Sequence, residues 1–197
     1  VRVCTQCASI YVEEVEFCGL DGAPLTTQDE DPLLGHELER YVVTGLLGVG
    51  GMGRVYKARH KHLERDYALK VLYGDLAANK GSVRRFKREA ESAGRLDHPN
   101  VVTVHDFGQS AEGLFFLVME LVQGRTLRDA LAEDGAFDRP RARHVIRQIV
   151  DGVKAAHDRG IVHRDLKPAN IMLVDQEGPE LVKIVDFGLA GVVEDDD

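Results

Sequence analysis

The run His163-Arg164-Asp165-Leu166-Lys167-Pro168-Ala169-Asn170, followed further along by Asp186-Phe187-Gly188, constrains this chain more than any other stretch. It sets a base, a cation and two hard oxygen donors on neighbouring loops. Such a set suits transfer of a phosphoryl group, in which an enzyme chiefly positions its reactants and neutralises phosphate charge. Asp165 can take the proton of an attacking hydroxyl, Lys167 can sit on the transferring phosphate, and Asn170 with Asp186 offers oxygen ligands to Mg²⁺. Read blandly, each piece is a polar loop with a helix-breaking proline or a glycine turn. Order and spacing together carry the functional reading.

The string resembles the catalytic loop and magnesium loop of the eukaryotic-type protein kinases, and Lys167 is similar to the lysine of their serine/threonine subclass. The resemblance implies an α+β, protein-kinase-like fold of two lobes, with an antiparallel N-lobe sheet plus a helix and an incomplete helical C-lobe. The ranges that follow are 37–119 for the N-lobe, 120–124 for a hinge and 125–197 for part of the C-lobe, the kinase domain spanning 37–197. It also implies ATP and Mg²⁺ as cofactors and a protein Ser/Thr hydroxyl as substrate.

Composition narrows the other classes. At 197 residues, 44% hydrophobic and 29% charged, the chain has the make-up of a globular protein rather than a disordered one. A net charge of −8 without a basic block argues against a nucleic-acid partner. No run of apolar residues is long enough for a membrane segment, and no signal pattern opens the chain, so a cytoplasmic location is expected. Val1 in place of Met reads as a literally translated GTG start, which points to a bacterial source.

All three cysteines lie near the start, which fits a reducing compartment better than a disulfide framework. Cys4, Cys7, Cys18 and Asp21 can be presented to a tetrahedral Zn²⁺ by two short knuckles. Residues 1–28 thus resemble a small zinc ribbon with Asp21 in the place of a fourth cysteine. The other reading is three reduced cysteines on a loosely ordered arm. Residues 29–36, acidic and polar, read as a linker.

Beyond the linker, Tyr41–Leu47 and Arg54–Ala58 are β-rich and flank Gly48-Val49-Gly50-Gly51-Met52-Gly53. A lone glycine pattern is a weak signal. Because a strand follows it instead of a helix, and no Gly-Lys-Ser/Thr appears, dinucleotide and Walker loops are excluded. What remains is a hairpin flap whose backbone N–H groups can approach phosphates. With Val55 it resembles the kinase glycine-rich loop. Asp66–Leu72 reads as the next strand, with Ala68 and Lys70 on one face. By resemblance Ala68 contacts adenine, Lys70 holds the α and β phosphates, and Glu89, on a helix over 82–96, pairs with Lys70. Glu91 is the other glutamate available, and either charge taken singly reads as a surface group.

Val101–Phe107 and Leu114–Glu120 read as further strands. By resemblance Met119 is the gatekeeper, the backbone of Glu120 and Val122 bonds adenine, and Met172 packs beneath it. Thr126 with Asp129 is a capping-box variant. A long helix over 139–159 has Asp138 as its N-cap, and Ala142, Val145, Ile146, Ile149, Val150, Val153 and Ala156 form its apolar face. His163 reads as a packed structural histidine. Residues 171–174 and 181–185 form a hairpin that returns Asp186 beside Asn170.

The chain ends soon after Gly188, where the family's activation segment begins, so part of the long helix's apolar face is expected to lack cover. Three functions stay open: an ATP-dependent serine/threonine kinase represented by its N-terminal part, a Mg-ATP-binding or interaction module that does not phosphorylate, and a decayed remnant whose zinc-like arm is the working end. Oligomeric state is not legible.

Overall fold

The computed structural model describes residues 2–4, 10–11, 15–19, 22–27, 31–50, 53–72, 83–84, 87, 90–91, 93–174 and 176–187. The chain divides into two compact units, residues 1–83 with 106–121, and residues 84–105 with 122–197.

The first unit opens with a small antiparallel sheet in the order β2-β1-β3, made of β1 (Arg2–Cys4), β2 (Ile10–Tyr11) and β3 (Leu25–Thr27). A tight turn precedes β3. The Cys18 N–H donates to the Ala23 carbonyl at 2.7 Å, and the Gly22 N–H to the Cys18 carbonyl at 2.9 Å. Gly22 takes a left-handed φ of 72° that a side chain would resist. Cys18 and Ala23 are buried in this turn against Leu25.

The larger sheet has six strands in the order β4-β5-β6-β7-β9-β8. They are β4 (Glu37–Leu38), β5 (Tyr41–Gly50), β6 (Gly53–His60), β7 (Asp66–Leu72), β8 (Val104–Gln109) and β9 (Phe115–Glu120). Strand alternation sorts its side chains. Tyr67, Leu69 and Val71 of β7 join Tyr41, Val43, Leu46, Tyr56, Phe116 and Val118 in one core, so Ala68, Lys70 and Leu72 lie on the opposite face. Two register shifts in β5, between Val43 and Gly45 and between Leu46 and Gly48, increase the local twist.

Strands β5 and β6 run further than sequence propensity suggests, pairing Gly50 with Gly53. Tertiary pairing is the reason, because Gly53 also pairs with Leu72 of β7. Strand β8 starts later than expected. Val101, read as strand, instead bridges to Ile184 in the second unit.

The second unit holds the sheet β10-β11-β12, from Gly124–Thr126, Ile171–Val174 and Leu181–Ile184. Two helices accompany it, α1 (Leu127–Asp134) and α2 (Arg139–His157). Thr126 caps α1 by accepting the Asp129 N–H at 3.1 Å, and Asp138 caps α2 by accepting the Arg141 N–H at 2.9 Å. Both caps satisfy first-turn donors that have no partner within the helix. Gly160, at φ 72°, closes the end of α2.

Val145 and Ala156 of α2 reach a core with Leu96, Val101, Ile171, Leu173, Val182, Ile184 and Phe187, while Ile149 and Val153 pack partly against it. Part of the apolar face is uncovered, as expected, with Ile146 58% and Val150 56% exposed. Earlier in this unit Arg84, Lys87, Ala90, Glu91 and Ala93 have helical backbone. No helix among the described residues is long and apolar enough to cross a membrane.

Candidate functional site

The residues singled out from the sequence fall into two sets, one in each unit. In the first unit the strand register fixes their relation. Gly48 lies opposite Val55, Val55 opposite Lys70, and Lys70 opposite Leu117. Ala68 pairs with Lys57 on one side and Met119 on the other, and Glu120 pairs with Tyr67. Because cross-strand partners point to the same face, Val55, Ala68, Lys70 and Met119 line one surface of the sheet. Lys70 is only 7% exposed, which is unusual for a long cation.

The flap holds two surprises. Val49 turns its side chain into the hydrophobic core, so its contribution at the flap is main chain. Gly53 sits where a Cβ would lie 2.0 Å from the Val71 carbonyl oxygen. Close sheet packing therefore demands that glycine whatever the flap binds. Gly51 and Met52 lie outside the described residues.

In the second unit one loop carries most of the set. Pro168–Asn170 forms a single 3-10 turn, with the Asn170 N–H bonded to the Lys167 carbonyl at 2.9 Å. The Asn170 side-chain amide is buried and donates to the Asp165 carbonyl at 2.8 Å and to Asp165 Oδ2 at 3.1 Å. Both its protons are thus committed to Asp165, and its amide oxygen is the atom suited to a hard cation. Lys167 Nζ lies 2.8 Å from Asp165 Oδ2. The Lys167 ammonium, more than burial opposes it, holds the Asp165 carboxyl below the usual carboxylate range, and the Asn170 amide helps. Asp165 is therefore an ionised acceptor at neutral pH.

Two non-glycine residues here adopt left-handed backbone, Arg164 at φ 63° and Asp186 at φ 60°. Such conformations cost energy and persist only where surrounding structure enforces them. The enforcement is visible. His163, 3% exposed, accepts the Asp165 N–H at Nδ1 (3.3 Å), so its Nε2 carries the proton and donates to the Val185 carbonyl at 2.9 Å. Its ring also lies 4.6 Å from that of buried Phe187. The Val185 N–H bonds the Asn170 carbonyl at 3.0 Å, and Ile171 pairs with Ile184. One buried histidine and one hairpin thus bring Asp186 next to Asn170. Met172, partly buried, pairs with Thr126 and Lys183.

Sequence reasoning missed the braces behind this loop. Asn100 donates through its side chain to the Val182 carbonyl and to Gln148 Oε1, both at 2.9 Å, while its own carbonyl accepts the Ile184 N–H. Only the turn signal of His98-Pro99-Asn100 marks the place. Glu89 and Gly188 lie outside the described residues, and Glu91 is exposed.

The donors Asn170 and Asp186 are all oxygen, which suits Mg²⁺ and not a soft metal. No three His, Cys, Asp or Glu side chains cluster as metal ligands among the described residues. Mg²⁺ needs no such cage, since it keeps waters and substrate oxygens. Of the four zinc candidates, Cys18 is buried in its turn and Cys4 ends β1. Cys7 and Asp21 lie outside the described residues.

The protein kinase domain family model matches residues 41–197. Among curated proteins, the chain is 39% identical to the serine/threonine-protein kinase pkn3 of Myxococcus xanthus over 175 residues, covering 88% of this chain and 32% of that protein. It is 41% identical to the serine/threonine-protein kinase PrkC of Bacillus subtilis, covering 80% of this chain and 24% of that protein. Among solved structures, the Mycobacterium tuberculosis PknI kinase domain superposes with a TM-score of 0.67 at 34% identity, over 79% of this chain and 62% of that one. The chain spans about a quarter to a third of the length of the curated relatives it matches.

Proposed function

The chain belongs to the protein kinase domain family, and from that premise we propose that it transfers the γ-phosphoryl group of ATP to a serine or threonine hydroxyl of a protein. The observation that carries the reading is the eight-residue loop in which Asp165 holds both Lys167 and the Asn170 amide.

Asp165 accepts the hydroxyl proton. With Lys167 against it the carboxylate is a weak base, which suits a loose transition state in which the nucleophile needs orientation more than early deprotonation. Lys167 is the mobile cation, able to exchange Asp165 for a phosphate oxygen as negative charge moves there. Asn170 and Asp186 would hold Mg²⁺, which when bound neutralises phosphate charge. In the first unit, the flap from Gly48 to Gly53 offers backbone N–H groups to phosphate, and Val55, Ala68 and Met119 offer an apolar wall to the base. Lys70, on the same face, is the cation for the α and β phosphates. Met172 and the main chain of Glu120 and Val122 are assigned to adenine by the resemblance.

The proposed domain limits are 37–197 for the kinase portion and 29–36 for the join. The division between the two compact units, after residue 121, lies inside the proposed hinge of 120–124. Residues 1–28 are proposed to bind one Zn²⁺ through Cys4, Cys7, Cys18 and Asp21, a reading supported by the tight turn at Cys18. The reaction consumes ATP, so its proposed place is the cytoplasm.

The test is transfer of labelled phosphate from Mg-ATP to a generic basic protein. Asp165→Ala is expected to lower the rate by a factor of about 10² to 10⁴. Nucleotide binding without transfer would instead make this a Mg-ATP-binding module. Elemental analysis of the whole chain is expected to find one zinc, lost in Cys18→Ser.

A further inference from the structure

The acidic run before the six-stranded sheet ends in Asp31. Asp31 is buried, and its side chain is wholly inaccessible. Arg54 Nη1 reaches its Oδ2 at 2.6 Å, and the Tyr56 hydroxyl lies 3.0 Å from both carboxylate oxygens. The Leu33 N–H donates to Oδ1 at 3.0 Å. The same stretch is fastened by main chain, with Leu34 N–H on the Asp31 carbonyl at 3.1 Å and Gly35 N–H on the Val43 carbonyl at 2.9 Å, while Leu33 and Leu34 pack on the core. Among the described residues Arg54 Nε is buried without a hydrogen-bond partner, so its guanidinium relies on Asp31 and Tyr56 for compensation.

Arg54 and Tyr56 alternate with Gly53 and Val55 along β6, and Val55 pairs with Lys70. The carboxylate therefore grips the flap strand from the face opposite the one that carries Val55 and Lys70. Arg54 pairs with Val49, immediately beside the Gly50–Gly53 pair that closes the described part of the flap.

We propose that Asp31 is a positioning residue for the phosphate flap: its clamp on Arg54 and Tyr56 holds the outer face of β6 and so sets the flap's inner face for nucleotide. Asp31, which precedes the sheet in the chain, is thereby tied to the flap strand. The proposal rests on the kinase reading.

The experiment uses the whole chain and measures kcat and KM for ATP in phosphoryl transfer, together with the Kd for Mg-ATP by calorimetry. Asp31→Ala is expected to raise KM and Kd about ten-fold while kcat changes less than about two-fold. Tyr56→Phe, which leaves the ion pair intact, is expected to raise them about two- to three-fold. The double variant Asp31→Ala with Arg54→Met removes the stranded cation and is expected to recover thermal stability without recovering KM. A purely structural carboxylate would give the opposite split, with a lower Tm and an unchanged KM in the folded fraction. If Asp31→Ala does not fold, Tyr56→Phe and the double variant decide on the same criterion. KM and Kd within two-fold of the parent in every folded variant overturn the proposal. If the parent binds Mg-ATP but transfers no phosphate, the kinase reading fails and Kd alone decides on Asp31. If it binds none, both fail.

Discussion

Replacing Gly53 with alanine separates two reasons a glycine can stand in the flap. One is that a bare backbone lets phosphate come close; the other is that β7 leaves no room. An alanine Cβ at Gly53 would lie 2.0 Å from the Val71 oxygen, 2.9 Å from the Val71 carbonyl carbon and 3.2 Å from Leu72 Cα. All three atoms are main chain, so no rotamer change relieves the overlap. Strand β6 must withdraw from β7 by more than an ångström, which stretches the adjacent ladder hydrogen bonds beyond useful length. Losing about two such bonds at about 1 kcal/mol each, with overpacking of about 1–3 kcal/mol, puts the expected loss at about 3–5 kcal/mol. That is a large share of a domain stability of about 5–15 kcal/mol. The control is Gly160→Ala, where φ is 72° and no atom of the described residues lies within 4 Å of the added Cβ, so that backbone strain acts, at about 1–2 kcal/mol. Urea denaturation followed by circular dichroism measures both, with KM for ATP in parallel. Gly53→Ala should be the more damaging and should also raise KM. A cost below about 1 kcal/mol, or one equal to that of Gly160→Ala, refutes the packing argument and leaves phosphate approach as the reason.

Three further outcomes follow from the second unit. Because Lys167 depresses the Asp165 pKa, the acid limb of kcat/KM should lie below the ordinary carboxylate range. Lys167→Ala should move that limb upward, and an unmoved limb would show that the ion pair does not govern ionisation. The linked stability has the same sign, being present above the unfolded carboxylate pKa and lost as pH falls through the lowered folded value. Asn100→Ala strips the Val182 carbonyl and Gln148 of a buried donor, so a thermal melt should register a loss of about 1–3 kcal/mol. Asn170→Leu removes both bonds to Asp165 and the oxygen proposed for the metal. Activity should fall steeply and not recover at tens of millimolar Mg²⁺, and recovery would show that another group holds the cation.

Much of the site was legible because its members are close in sequence. Asp165, Lys167 and Asn170 sit within a single turn's reach, and Pro168 dictates the local bend. The hairpin returning to Asp186 announces itself through two apolar runs around a glycine-proline turn. The helix caps at Thr126 and Asp138 followed from residue type and position alone. Less legible were features that depend on what lies across space. Asp31 sits in an acidic run, and nothing local marks it for burial under Arg54 and Tyr56. That part of the α2 apolar face would lack cover was legible, but not that the uncovered part would be Ile146 and Val150 rather than Val145.

By itself, the order of residues determined the chemical inventory and the periodicity of strand and helix, since both depend on neighbours a few bonds or one turn away. Tertiary structure decided which of several equivalent groups lost its water. Desolvation and pairing are set by segments far along the chain: β7 makes Gly53 obligatory, Val185 selects the His163 tautomer, and Arg54 gives Asp31 its burial. A carboxylate's cost or value inside a protein is fixed by what faces it, and no local pattern of residues states that.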